Sequence, residues 1–281
     1  MRESRGVRRC IRKSSLLAAA AVLCGAPLSS TIFAQGSDAA WRVDSPPGTL
    51  VLSEIKHGAG KTVFVLENVS GKRITAFSLS HGAVTHTTDY FETGNDLAPT
   101  AYDELTIGDE ELQSAAEHVL RLSAVLFADG TAVGGQDAID LIVGRRVGVT
   151  LETERIAGIL RSAADTSADH PSLAALGSRI GDPPQTPEEA FAAERGVHIA
   201  GVDLDALSAG KGKAFAHAFF AGVGDARETS RWRLSQLHQI PLVAKNPHVP
   251  DRATALSQLR QSYDDLAARN KTLLTQQGGV R

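Results

Sequence analysis

Three short stretches of this 281-residue chain gather side chains able to do chemistry. The first is "HGAGKT", residues 57–62, which ends in the Gly-Lys-Thr of a phosphate-binding loop. Such a loop needs an earlier glycine at position 55 and a helix after the threonine, whose N-terminal N–H groups face the phosphates. Position 55 is Ile55, and the "VFVLENVS" that follows Thr62 is β-branched and strand-like. The stretch therefore reads as a hairpin turn whose glycines supply positive φ, and no nucleotide is expected there. "SAGKGKAF" at 208–215 fails in the same way, with no strand before it and no Ser or Thr after Lys213.

The second stretch is "HGAVTHTTD", with His81, His86 and Asp89. Imidazole and carboxylate ligate zinc. Along one extended strand, however, 81 and 89 face one side and 86 the other, so the three do not converge on one ion. The third, "YDELTIGDEEL" at 102–112, lacks the alternating aspartates and distal glutamate of a calcium loop. It reads as a charged loop and strand edge, which discourages edge-to-edge pairing. His217 and His238 stand alone on helical faces, and neither His-Glu-x-x-His nor Gly-x-Ser-x-Gly occurs. Two glycosidase carboxylates can come from anywhere in a chain, but sugar clefts want aromatic platforms, and only Trp41 and Trp232 supply indoles. The sequence assigns no catalytic, cofactor-binding or metal residue.

The elements that must carry these stretches change character along the chain. From 48 to 134, short β-branched runs (49–55, 62–69, 73–83, 117–134) alternate with turn signals such as Ser70-Gly71 and Asp129-Gly130. In "EHVLRLSAVLFADGTAVG", Val119, Arg121, Ser123 and Val125 take one face, and Leu120, Leu122, Ala124 and Leu126 the other. Six or seven strands in this span predict an antiparallel β-sandwich. After Gly135 the apolar spacing becomes three and four, which predicts a long helix over 136–165 weakened by Gly144 and Gly148. Two short helices follow in 168–195, the second starting at Thr186 as N-cap with Pro187 in its first turn. Two more are expected at 203–222 and 226–240, then an extended connector, then a last helix at 252–275. The fold class is α+β, with a β-sandwich domain at 48–134 and an α-helical region at 135–281.

That last helix carries a heptad-like series, with Leu256, Tyr263 and Asn270 at a and Leu259, Leu266 and Leu273 at d. An Asn at an a position can set register in a dimeric coiled coil. The same stripe serves packing onto its own domain, so homodimerisation through this helix is the competing use.

The first 34 residues read as an export signal: a basic "MRESRGVRRCIRKSS", an apolar 16–28 too short for a bilayer span, and a small-residue exit after Ala34. Residues 35–47 read as a linker. Cleavage removes six basic residues and one acid, a net of +5, so the −3 of the whole chain becomes about −8. That charge argues against nucleic acid and anionic membrane surfaces as partners. Both cysteines, Cys10 and Cys24, leave with the signal, which excludes disulfides and thiolate chemistry from the mature chain. A periplasmic or extracellular location is expected, with no membrane span in the mature chain.

The "VFVLENVSGKRITAFSLS", "LTIGDEEL" and "LRLSAVLFADGTAVG" segments resemble the small immunoglobulin-like sandwiches of exported bacterial proteins, of FxLYD and LEA type. The resemblance spans 48–134 and implies a fold and an envelope location, with no catalytic residue to transfer. The functional expectation is a non-catalytic binding or scaffolding protein of the envelope, acting on an envelope protein or polymer. The alternative is a hydrolase working through paired carboxylates.

Overall fold

The computed structural model describes residues 41–276, except 47, 114–116, 165–172, 196, 198–203, 206–210, 242–247 and 249. The segment read as an export signal lies outside these residues. The described chain is α+β, strands first and helices after, with eight strands in two sheets where the sequence predicted six or seven. One sheet has the order β1 (Arg42–Asp44), β7 (Val119–Phe127), β4 (Ile74–His81), β5 (Val84–Asp89), with β8 (Ala132–Gly134) also paired to β7. The other has β2 (Leu50–Gly58), β3 (Lys61–Asn68) and β6 (Tyr102–Gly108).

Two of these strands were hidden in the sequence. Residues 41–44 fall in the stretch read as a linker, yet β1 pairs in parallel with β7. The cause is apolar: Trp41 packs edge-on against Phe64 and His118, and Val43 joins the cluster between the sheets. The other is β5. The run read as one extended strand through 81–89 folds back at Gly82 (φ 56°), so that His81 pairs with Val84 and Leu79 with His86. A polar "VTHTTD" gives little hydrophobic signal for a strand.

The even alternation read along β7 also breaks. Ser78 pairs with Ala124, but Leu79 pairs with Leu122, which leaves Ser123 as an extra residue. The bulge shifts the facing by one. Leu120 and Leu122 therefore join Val125 and Phe127 between the sheets, while Ala124 and Leu126 face the helices.

The described residues hold six helices: α1 (Asp109–Gln113), between β6 and β7, and after the strands α2 (Gln136–Ala164), α3 (Leu173–Ile180), α4 (Pro187–Glu194), α5 (Lys213–His238) and α6 (Arg252–Gln276). Thr186 caps α4 as expected, its side chain accepting the Glu189 N–H at 3.2 Å. The two helices expected at 203–222 and 226–240 are one helix over the described stretch, α5, which runs unbroken through Gly222 and Gly224. Strands and helices belong to one compact unit, because α2 lies on the sheet through Ile142, Val143, Val147 and Leu151 against Ala76, Ala124 and Leu126.

Gly144 and Gly148 do not mark weakness in α2. A Cβ on Gly144 would sit 2.6 Å from the Phe215 carbonyl, and one on Gly148 would press into the Phe219 carbonyl. Gly222 of α5 meets the Arg145 carbonyl in the same way. The three glycines let the two helix backbones touch. Gly224, two residues on, has nothing within 4 Å. Gly222→Ala is thus expected to destabilise the fold by about 1–3 kcal/mol through overpacking. Gly224→Ala should stabilise it by about 0.5–1 kcal/mol through helix propensity. Urea unfolding of the two variants checks the opposite signs.

Tyr263 and Asn270 on α6 are 3% and 0% exposed within their own chain. The buried stripe of α6 runs Ala255, Tyr263, Ala267, Asn270, Leu274, so both inner a positions are occupied by intramolecular packing.

Candidate metal centre

The β4–β5 hairpin does what a single strand cannot. Folding back at Gly82 puts His81 and His86 on the same face, since Leu79 is cross-strand from His86 and two residues from His81. Their rings stack at 12° with Nε2 atoms 3.2 Å apart. Asp89 goes to the opposite face and pairs with Arg146 of α2 at 2.7 Å. The sequence expectation is therefore corrected: 81 and 86 converge, and Asp89 is the one that leaves.

The third partner comes from the helix that follows the other sheet's β6. At the end of β6 the chain turns into the five-residue helix α1, and its Glu111 brings Oε1 to 2.9 Å from His81 Nε2 and 2.8 Å from His86 Nε2. The stretch read as a charged loop thus supplies a ligand-type oxygen to the cluster. His81 is 2% exposed, whereas the His86 and Glu111 side chains are 22% and 33% exposed, so the cluster opens to solvent on their side.

What holds α1 in place is the hairpin turn first met as "HGAGKT". Gly58 pairs with Lys61, and Gly60 takes φ 72°. The Thr62 hydroxyl donates to Asp109 Oδ1 at 2.9 Å and lies 3.2 Å from His57 Nδ1. The Asp109 N–H donates to the Gly60 carbonyl at 3.2 Å. Asp109 opens α1, so the residues that mimic a phosphate loop instead anchor the helix that presents Glu111.

Three ligand-type atoms within 4.8 Å of one another form the group His81, His86, Glu111. Tetrahedral zinc with bonds of about 2.0–2.1 Å keeps its ligands ~3.3–3.4 Å apart. The observed 2.8–3.2 Å would need each side chain to yield by a few tenths of an ångström. Without a cation, Glu111 Oε1 and the two Nε2 atoms crowd one another, and the donor and acceptor roles follow from the tautomer of each ring. A single cation would take the Nε2 lone pairs of both rings and a carboxylate oxygen, with each ring carrying its proton on Nδ1. Two histidines and one carboxylate also leave a further coordination position for water or a ligand.

Of the other sequence candidates, His217 is exposed on α5, and Trp232 is 61% exposed on the same helix. One carboxyl pair, Glu152 of α2 and Glu194 of α4, does come together, but at 0% exposure no polymer reaches it. Comparison with known protein families, curated proteins and solved structures gave no match.

Proposed function

We propose that this chain is an exported binding protein of the bacterial envelope that holds one divalent transition-metal ion at His81, His86 and Glu111. The observation that carries the reading is the convergence of three ligand-type atoms, from the β4–β5 hairpin and from α1, at 2.8–3.2 Å. The two sheets share one apolar cluster, with Phe64 and Leu66 from one and Phe77 and Leu79 from the other. That supports reading them as a β-sandwich of the immunoglobulin-like kind, with the ion at one end. The basic, then apolar N-terminus supports export. No described helix is long and apolar enough to cross a membrane.

Imidazole-rich sites favour zinc and its first-row neighbours over magnesium or calcium. The purified, chelator-stripped protein is expected to take up about one zinc ion per chain, read by calorimetry and elemental analysis. Changing an outer partner of a metal ligand weakens binding about 10–100-fold. Thr62→Val, which frees Asp109 and α1, should fall in that range, and His81→Ala or Glu111→Gln should exceed ~100-fold. Zinc affinity unchanged in His81→Ala would end the reading.

The open coordination position favours a second reading, a zinc hydrolase, because two histidines with one glutamate is a catalytic zinc set. Turnover of an envelope polymer by the zinc-loaded protein, lost in His86→Ala, would establish it over pure binding.

A further inference from the structure

Asn270, which the sequence offers as a coiled-coil register residue, has a different situation in the fold. It is 0% exposed, and both its Oδ1 and Nδ2 lack a hydrogen-bond partner. Buried amides are nearly always satisfied, and an orphaned one calls for an occupant. Asn270 lines a cavity of about 110 Å³ between α2, α5 and α6.

The lining is polar and of both signs. Glu92, from the turn after β5, and Asp225 of α5 bring carboxylates, with Arg145 bonded to them at 2.7 and 3.0 Å. Arg233 brings a guanidinium, 5.3 Å over the Tyr263 ring. The hydroxyl of Thr153 completes the wall. An apolar cavity of about 150 Å³ accommodates a six-carbon ring, so 110 Å³ suits a molecule of about four or five heavy atoms. The occupant must give a donor to Oδ1 and an acceptor to Nδ2 of one amide. It must also present a cation to carboxylates and an anion to a guanidinium.

We propose that this cavity binds a small zwitterionic α-amino acid of the size of glycine, with alanine at the upper limit. Its ammonium lies toward Glu92 and Asp225, its carboxylate toward Arg233, and Asn270 bridges the two. The site is separate from the metal cluster, and its test runs in chelator so that the two readings fail independently.

The experiment is thermal unfolding and calorimetry of the purified protein with glycine and L-alanine, against acetate and methylammonium as the two half-ligands. At a hundredfold excess over Kd, the zwitterions should raise Tm by about 5–10 °C, and the half-ligands by far less. Asn270→Leu, close in volume, removes the orphaned groups. It should fold with a Tm at or above the parent's and lose the glycine response. No shift with either amino acid at millimolar concentration overturns the proposal. So does a crystal grown in glycine whose cavity holds only water, or an Asn270→Leu variant that folds and still responds.

Discussion

Arg146→Ala is expected to lower the unfolding free energy by about 3–5 kcal/mol, the cost of removing one partner from a buried charge pair. Arg146 sits in the middle of α2 at 1% exposure, between the helix layer and the sheet. Its Nε and Nη2 reach Asp89 at 3.0 and 2.7 Å, its Nη2 donates to the Thr75 carbonyl at 2.9 Å, and it lies over the Phe91 ring at 5.2 Å. Alanine leaves the Asp89 carboxylate, only 10% exposed, without its guanidinium, while the Phe91 N–H still donates to it. Arg146→Lys keeps the charge but not the planar fork, so it should recover only part of the loss. The double change Arg146→Met with Asp89→Leu removes both charges and should cost less than Arg146→Ala alone. Urea midpoints of the three variants decide the order. A loss under ~1 kcal/mol for Arg146→Ala would mean that water reaches the carboxylate and the pair behaves as a surface one.

This pair also shows how far the sequence could be read. Arg146 and Asp89 are 57 residues apart, and neither lies in a motif. What was legible was local: the Gly turn at 57–62, the Thr186 cap, the change from strand to helix spacing after Gly135. Each rests on residues within a few positions of one another. The cluster of His81, His86 and Glu111 was half legible. His81 and His86 were singled out, but their geometry depends on a turn at Gly82, and "HGAV" between two strands is a hairpin signal of the kind seen at "HGAGK". Applying the same turn to both would have put the two histidines on one face. Glu111 was not legible, because it reaches the pair only once the two sheets meet. The glycines of α2 were misjudged for the same reason. Propensity counts a glycine as a loss, and only the partner helix shows that close approach requires it.

Stability should fall as pH rises from about 5 to about 9, and Glu194→Gln should abolish most of that dependence. Glu152 and Glu194 are both fully buried, beside Arg155 and Arg227. Glu152 receives both guanidinium groups, Arg227 at 2.8 and 3.1 Å and Arg155 at 2.5 and 3.0 Å. Burial opposes its charge, but the hydrogen bonds from Arg227, Glu194 and Arg155 outweigh it and hold Glu152 below the usual carboxylate range. Glu194 gets what is left. Its nearest guanidinium nitrogens are 3.6 and 3.7 Å away, and neither of its oxygens receives a donor. Burial, reinforced by the neighbouring Glu152, pushes it up to about 9. Around neutral pH Glu194 therefore keeps its proton and donates it to Glu152. In the unfolded chain it would ionise near 4.5. Between those values the folded state holds one proton more than the unfolded state. The resulting stabilisation is complete below about 4.5 and is lost as pH rises toward 9, at up to ~1.4 kcal/mol per pH unit. Glu152 works in the opposite sense: its contribution is present above its unfolded value and fades as pH falls through its lowered one. The two together place the optimum on the mildly acidic side of neutrality. A glutamine at 194 is a permanent donor with no charge to bury. The variant should match the parent near pH 5 and exceed it at pH 9. Glu152→Gln is the reciprocal control. It strips both arginines of their carboxylate, which is expected to cost about 3–5 kcal/mol, and it lets Glu194 ionise to replace the missing charge. The pH slope should then shrink although stability has dropped. A parent protein whose chemical-denaturation midpoint stays constant from pH 5 to 8 would show that Glu194 is ionised throughout and that the two guanidinium groups serve both carboxylates equally.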